Sequence, residues 1–233
     1  MNIHQLSVRL ETVAGFVPKN ARLADIGSDH AYLPCVLAAR DIVSYALAGA
    51  VVKGPFESAA EQIKTSGVGD RVSARLGDGM DVIETTDDIN VVTICGMGGD
   101  LISKILEKGR LKDKLVGVER LILQPNNGEK KLREWLIGHQ YKIIDETILE
   151  ENGKIYEILV AEKAESPENY TDLEYSFGRF LLQEKNDIFR KKWSAEIDKC
   201  QYILDSMQKA SNDLNEKEQQ VINKINEIKE VLK

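Results

Sequence analysis

The run Asp25-Ile26-Gly27-Ser28-Asp29-His30-Ala31-Tyr32-Leu33-Pro34 closes a short apolar segment with an acid, a single glycine and a second acid. A strand that ends in this way and feeds a helix offers backbone amides to an anionic group, and the glycine lets the backbone approach a ligand closely. The places that a G-x-G-x-x-G dinucleotide fingerprint reserves for glycine hold Asp29 and bulkier side chains, which crowd a pyrophosphate. An acid before one glycine suits a smaller ligand that carries both an amine and a carboxylate, such as S-adenosylmethionine. Alone, the run also reads as a capped strand–helix turn.

Four further apolar runs end in residues of the same character. Residues 44–48 lead into Gly49-Ala50-Val51-Val52-Lys53-Gly54-Pro55-Phe56. A nucleoside site places a carboxylate there to accept from the ribose hydroxyls. This chain has Ala50, so backbone groups near Val51 are left to contact an adenosine. Residues 72–76 end at Gly77-Asp78-Gly79-Met80, where Asp78 can accept from an adenine amino group and Met80 can pack on the ring. Residues 91–95 end at Cys95-Gly96-Met97-Gly98-Gly99-Asp100, a loop whose three glycines bring backbone near the reactive end of a ligand. The lysine and Ser/Thr of a phosphate-binding loop are missing from it. Residues 121–124 end at Gln124-Pro125-Asn126-Asn127, whose amides can read a base edge.

These tips need a frame that gathers them. Apolar runs alternating with helical patterns, such as residues 56–65 and 101–108, imply βαβ units, a parallel sheet and a doubly wound topology. Ligands then bind at the carboxyl ends of consecutive strands, where all five tips fall. Residues 142–148 and 155–161, around Glu151-Asn152-Gly153, read as an antiparallel pair. Parallel units closed by such a pair resemble a Rossmann-like methyltransferase sheet more than a dehydrogenase sheet. Residues 163–169 read as a linker with a helix start at Ser166-Pro167-Glu168. This divides the chain into residues 1–163, the ligand-binding domain, and 164–233, a helical domain. In the latter, Phe189, Trp193, Ile197, Cys200, Leu204 and Met207 form one stripe. Leu214, Val221, Ile225, Ile228 and Leu232 form another, broken from the first at Ser211-Asn212-Asp213. An antiparallel helical hairpin accounts for both stripes, with a dimer seam as the alternative.

The 233 residues carry 31 basic and 38 acidic side chains, a formal net charge of −7. Bulk electrostatic coating of nucleic acid is excluded by that balance, though a local basic patch is not. Divided after residue 164, both parts are acidic, −4 and −3, so the excess reads as evenly spread. Cys35, Cys95 and Cys200 are odd in number and lack C-x-x-C spacing, which points to reduced thiols rather than disulfides or zinc. Residues 1–10 lack the apolar core of a signal peptide, and no apolar run reaches the length of a membrane span. The expectation is a soluble cytoplasmic protein.

With these motifs in view, the chain resembles the bacterial TrmK-type tRNA (adenine-N1)-methyltransferases that act at adenine 22. The resemblance rests on Arg9-Leu10-Glu11-Thr12-Val13, the run from Asp25 to Pro34, Gly54-Pro55-Phe56, Gly77-Asp78-Gly79, Gly96-Met97-Gly98-Gly99 and Leu123-Gln124-Pro125-Asn126. It covers essentially the whole chain. It implies an α/β, Rossmann-like class I methyltransferase domain with a seven-stranded sheet, followed by a coiled-coil-like helical domain. It also implies S-adenosylmethionine as cofactor, no metal, tRNA as partner and methylation at N1 of an adenine in the D-arm region. By resemblance, the cofactor side is lined by Asp25, Gly27, Ser28, Asp29, His30 and Tyr32 from the first tip. Asp78, Gly79 and Met80, with Cys95, Gly96 and Met97, line it from the third and fourth. Ala50 departs from the family, whose members carry glutamate there.

Adenine N1 is already a lone-pair nucleophile, so positioning and stabilisation of the cationic product carry the reaction. Asp29 is the carboxylate suited to that charge, with Met97 and Asn126 beside the reacting base. N1 lies on the Watson–Crick edge, which requires an unpaired or flipped nucleotide. Phosphate contacts are expected from Arg9 and Lys53, with Lys19 and Arg22 near the mouth in sequence terms, and from Arg190, Lys191 and Lys192 on the long helix. A nicotinamide-dependent oxidoreductase and a non-catalytic nucleotide- or RNA-binding module are the competing classes.

Overall fold

Strand residues buried on both faces build the frame. In a computed structural model describing residues 5–210 and 216–233, seven strands form one sheet. They are β1 (Ala21–Ile26), β2 (Val43–Ala50), β3 (Val72–Leu76), β4 (Val91–Met97), β5 (Arg120–Pro125), β6 (Tyr141–Glu151) and β7 (Lys154–Lys163). The order is β3-β2-β1-β4-β5-β7-β6. β1 to β5 are mutually parallel, and β7 runs antiparallel to both β5 and β6. Every expected strand is present, and most extend a residue or more beyond the apolar run that signalled them.

Side chains alternate across a strand, so each strand serves two layers. Leu23, Ala46, Ala48, Val91 and Ile122 join one core with α1 (Val8–Gly15), α2 (Tyr32–Ala39) and α3 (Lys53–Ser66). The intervening Ala24, Ile26, Leu47, Val92, Ile94, Leu121 and Leu123 are equally buried. They face the other layer, where α4 (Gly99–Leu111) and α5 (Glu129–Gly138) bury Ile102, Leu106, Leu132 and Leu136. Two covered faces explain why these strands read as continuous apolar runs. The chain crosses over after β3 to lay β4 on the far side of β1. This reversal opens a crevice at the carboxyl ends of β1 and β4.

Local chemistry explains the ends of the elements. Asn152 and Gly153 both have positive φ, 51° and 73°, which gives the β6–β7 hairpin its two-residue turn. Helix α1 was not signalled by its sequence, and Ser7 caps it by accepting from the Leu10 N–H. The helix expected from Ser166-Pro167-Glu168 starts later, as α6 (Asp172–Phe177). Thr171 has a glutamate three residues on, whereas Ser166 has Asn169. Glu174 N–H donates to Thr171 Oγ1, and Thr171 N–H donates back to Glu174 Oε2.

The chain divides into two compact units, Met1–Gly178 and Arg179–Lys233. The division falls after α6 rather than after residue 163, and one buried residue accounts for it. Arg133 of α5 is fully buried. It donates to Glu146 Oε1 at 2.6 Å, to Glu157 Oε2 at 2.5 Å and to the Tyr175 carbonyl at 3.2 Å. Helix α6 is thereby tied to the sheet of the first unit.

In the second unit, α7 (Arg179–Glu184) precedes α8 (Asp187–Ala210) and α9 (Glu216–Leu232). The last two pack antiparallel. Arg190 Nη1 donates to the Leu232 carbonyl at 2.7 Å, and Lys224 pairs with Glu196. The seam buries Phe189, Trp193, Cys200 and Leu204 against Ile225, Ile228 and Val231, with Ile197, Val221 and Leu232 half-buried beside them. The expected break at Ser211-Asn212-Asp213, together with Leu214, lies outside the described residues.

Candidate active site

Asp25 ends β1 with its carboxylate almost wholly buried, 8% exposed. Thr93 of the neighbouring β4 donates to Asp25 Oδ1 at 2.7 Å. Burial pushes the Asp25 carboxyl above the usual carboxylate range, against the opposing pull of Ser28, Thr93 and the Arg9 charge. Gly27 follows at φ +73°. A Cβ there would lie 2.0 Å from the Met97 terminal methyl, so the turn is both left-handed and covered. Ser28 is buried, and its N–H donates to the Gly49 carbonyl at 2.8 Å. His30 and Ala31 also have positive φ, 61° and 52°. Ala31 begins α2 with no side-chain cap, leaving the amides of that turn for a ligand.

These groups wall a cavity of about 350 Å³ at the β1–β4 crevice. Asp25, Gly27, Ser28, Asp29 and Tyr32 line it from the first tip, and Cys95, Gly96 and Met97 from the fourth. Leu10, Leu33 and Arg9 complete it. The Asp29 carboxylate is exposed and lies 3.4 Å from His30 Nε2. His30 does not line this cavity; its ring stacks on Tyr32 at 5.4 Å. Burial, then the charge of Asp25, pushes the Cys95 thiol up, so a thiolate is disfavoured there.

Other candidates lie along the same sheet edge, outside this cavity. Ala50 is buried, its carbonyl accepting from the Gly77 N–H at 2.9 Å, and Val51 and Val52 are exposed. Asp78 takes Lys108 Nζ on Oδ2 at 2.6 Å, and Gly79 beside it has φ +57°. Met80 is a correction. Its side chain is 2% exposed and packs on α4, where a Cβ on Gly109 would meet its sulfur at 2.4 Å. It is therefore turned away from any ring at the strand tips.

The glycine loop after β4 is also built differently from expectation. Gly99 and Gly98 are needed by the loop after β5. A Cβ on Gly99 would fall 2.3 Å from the Gly128 carbonyl oxygen, and one on Gly98 would lie 3.0 Å from Asn127 Oδ1. Gly96, at φ +77°, is the one that faces the cavity. The two loops are laced together: Gly99 N–H donates to the Asn127 carbonyl, Asn126 N–H to the Met97 carbonyl and Asn126 Nδ2 to the Gly96 carbonyl, each at 2.7 Å.

The basic residues fare unequally. Lys53 is exposed at the start of α3, 3.5 Å from Glu57. Arg9 turns inward instead of standing free for phosphate, with its guanidinium on Gln124 and over the Tyr156 ring at 5.4 Å. Arg22 is the second residue of β1, and Lys19 precedes the strand, so both lie at the amino end of the sheet, opposite the site. Arg22 is committed to the Asp87 carbonyl and the Tyr45 ring. Thr93 and fully buried Gln124 were not foreseen in their structural roles. A polar residue inside each otherwise apolar strand is the signal that could have found them.

The cavity fits S-adenosylmethionine. It has a buried carboxylate for an amine, uncapped amides for a carboxylate, and a glycine cradle that any Cβ would fill. This site, with a β3-β2-β1-β4-β5-β7-β6 sheet in which β7 runs antiparallel, defines a class I, Rossmann-like methyltransferase. A family model described as "TrmK: tRNA (adenine(22)-N(1))-methyltransferase" matches residues 23–230. The chain belongs to that family.

A tRNA (adenine(22)-N(1))-methyltransferase of Bacillus subtilis is 46% identical over 237 residues, spanning 100% of this chain and 98% of that one. A putative tRNA (m1A22) methyltransferase of Streptococcus pneumoniae, solved in complex with S-adenosyl-L-methionine, is 44% identical with a TM-score of 0.90. It covers 98% of this chain and 100% of its own. The TrmK of M. capricolum, solved with S-adenosyl-homocysteine, is 28% identical with a TM-score of 0.85, over 99% of this chain and 100% of that one. Membership in this family sets the nicotinamide-dependent reading aside.

Proposed function

We propose that this chain methylates N1 of adenine 22, in the D-arm region of tRNA, with S-adenosylmethionine as donor. The observation that carries the reading is the cavity at the β1–β4 crevice, walled by Asp25, Gly27 and the loop from Cys95 to Met97. Asp25 would hold the amine of the cofactor and the amides opening α2 its carboxylate, while backbone at Ala50 and Val51 and the Asp78 carboxylate meet the adenosine. When bound, S-adenosylmethionine supplies an electrophilic methyl group on a sulfonium.

This chain's part is to exclude water, orient the base and stabilise charge. N1 needs no base to make it a nucleophile, so neither Cys95 nor His30 is required to take a proton. The exposed Asp29 carboxylate offsets the positive charge that develops on the methylated ring. Met97, lying across Gly27, and Asn126, held to the Gly96 carbonyl, border the place where the base enters. Lys53 and the run Arg190-Lys191-Lys192 supply phosphate contacts that fix the tRNA without reading sequence. No helix among the described residues is long and apolar enough to cross a membrane. A tRNA-modifying enzyme works in the cytoplasm, as a monomer in this reading.

The test is nucleoside mass spectrometry of tRNA incubated with the protein and S-adenosylmethionine. One equivalent of 1-methyladenosine is expected, and none when adenine 22 is replaced. A product that persists after that replacement refutes the position, and no product at all refutes the activity in favour of a binding module.

A further inference from the structure

Arg9, Gln124 and Asn126 form a relay from the cavity wall to the loop after β5. Arg9 Nη1 donates to Gln124 Oε1, and the Gly96 N–H donates to the same oxygen at 3.0 Å. Gln124 is fully buried, so water cannot satisfy its amide in another orientation. Its Nε2 therefore donates to the Pro125 carbonyl at 2.8 Å and toward Asn126 Oδ1 at 3.3 Å. Turning the amide over would set two donors against its NH2 and a carbonyl against its oxygen. Asn126 is fixed in the same sense, because its own Nδ2 donates to the Gly96 carbonyl at 2.7 Å. It is exposed, and its oxygen keeps a second lone pair.

The geometry points to Arg9 as a positioning residue that, through the Gln124 amide, presents Asn126 Oδ1 as an acceptor for the 6-amino group of the target adenine. This rests on the adenine-N1 reading above. N1 must keep its lone pair for the methyl group, so the adjacent amino group is the handle by which a site can hold this edge. An acceptor suits adenine, whereas a 6-oxo purine would set two acceptors against each other. Arg9 is suited to the task because it is held between the amide and the Tyr156 ring.

The test compares tRNA carrying adenine at position 22 with tRNA carrying purine riboside there, which keeps N1 and lacks the amino group. The wild-type protein is expected to favour adenine by about tenfold or more in kcat/KM, the worth of one well-placed hydrogen bond. Arg9→Ala is expected to lose more activity on adenine than on purine, so that the preference collapses. S-adenosylmethionine binding is measured by calorimetry alongside, because Arg9 also lines the cavity; a loss of cofactor affinity lowers activity on both tRNAs alike, so the ratio between them reads the assignment.

Gln124→Glu keeps an acceptor for Arg9 and Gly96 but cannot donate to Asn126, and it should collapse the preference in the same way. Arg9→Ala combined with Asn126→Ala should be no worse than Asn126→Ala alone. A preference that survives in Arg9→Ala or Gln124→Glu, or losses that add in the double variant, would overturn the assignment. Wild-type protein that methylates neither tRNA would instead overturn the reading on which it rests.

Discussion

Asp25 shows what a buried carboxylate at the proposed cofactor site costs the fold. Its carboxyl is raised by burial, so the ionised form is disfavoured in the folded chain relative to the unfolded one. Asp25→Asn keeps an oxygen for the Thr93 hydroxyl and removes the buried charge. The variant should melt higher than wild type at pH 7. The sign follows from linkage. A raised carboxyl destabilises the fold only where it is ionised, so the advantage is full above its folded value. It should vanish as the pH falls below the ordinary value of 3.8. Thermal melts from pH 7 to 3.5 check this, and an advantage that grows on acidification contradicts it. Calorimetry should show weaker S-adenosylmethionine binding at the same time, because the amine no longer meets a carboxylate. Ala50 poses the opposite case. The Ala50→Glu variant places a carboxylate at the β2 tip, where ribose hydroxyls need an acceptor, and should tighten S-adenosylmethionine binding about tenfold. Unchanged affinity would mean that the ribose is held elsewhere.

At the scale of elements, the buried cluster of Arg133, Glu146 and Glu157 ties α5, β6, β7 and α6 together. Arg133→Met takes from two carboxylates with almost no exposure the guanidinium that donates to each of them. A loss of about 3–5 kcal/mol is expected, seen as a melting point lower by about 10 °C. Glu157→Gln leaves one carboxylate on the guanidinium and should cost less; equal losses would place the energy elsewhere. This cluster also has no counterpart in any local sequence pattern. The parallel strands were legible because two covered faces force apolar runs, and the β6–β7 turn because Asn152-Gly153 is built for positive φ. The cavity at the β1 tip was legible from Asp25 and Gly27 for the same local reasons. The unit boundary was not, because the hold of Arg133 on the Tyr175 carbonyl spans 42 residues and leaves no periodic trace. Met80 shows a similar limit: adjacency to Asp78 in sequence does not say that its side chain packs against Gly109 of α4. The Gly98-Gly99 pair was read as ligand-facing when its real neighbour is the loop at Asn127 and Gly128.

For the molecule as a whole, moving the boundary changes the charge argument. The linker and α6 carry Glu165, Glu168, Asp172 and Glu174, all of which belong to the first unit. The second unit then holds 11 of the 31 basic and 10 of the 38 acidic residues, a net of +1, which leaves −8 on the first. The acidity is therefore not evenly spread, as a division after residue 164 suggested. A polyanion such as tRNA meets repulsion from the first unit taken as a whole and nearly none from the second. The basic run at 190–192 stands in that neutral unit. Arg190 is engaged with the Leu232 carbonyl, so altering it mixes hairpin closure with charge. Lys191→Glu with Lys192→Glu changes the charge of the run while keeping the Arg190–Leu232 bond, with circular dichroism to confirm that the helices persist. It should weaken tRNA binding and leave S-adenosylmethionine binding unchanged. For wild type, the logarithm of affinity should fall with the logarithm of salt, because lysines that neutralise phosphates release counterions. The slope should be shallower in the variant by about 0.9 for each phosphate that is no longer neutralised. A tRNA complex whose strength ignores salt, or a variant with the wild-type slope, would show that the second unit contributes shape rather than charge.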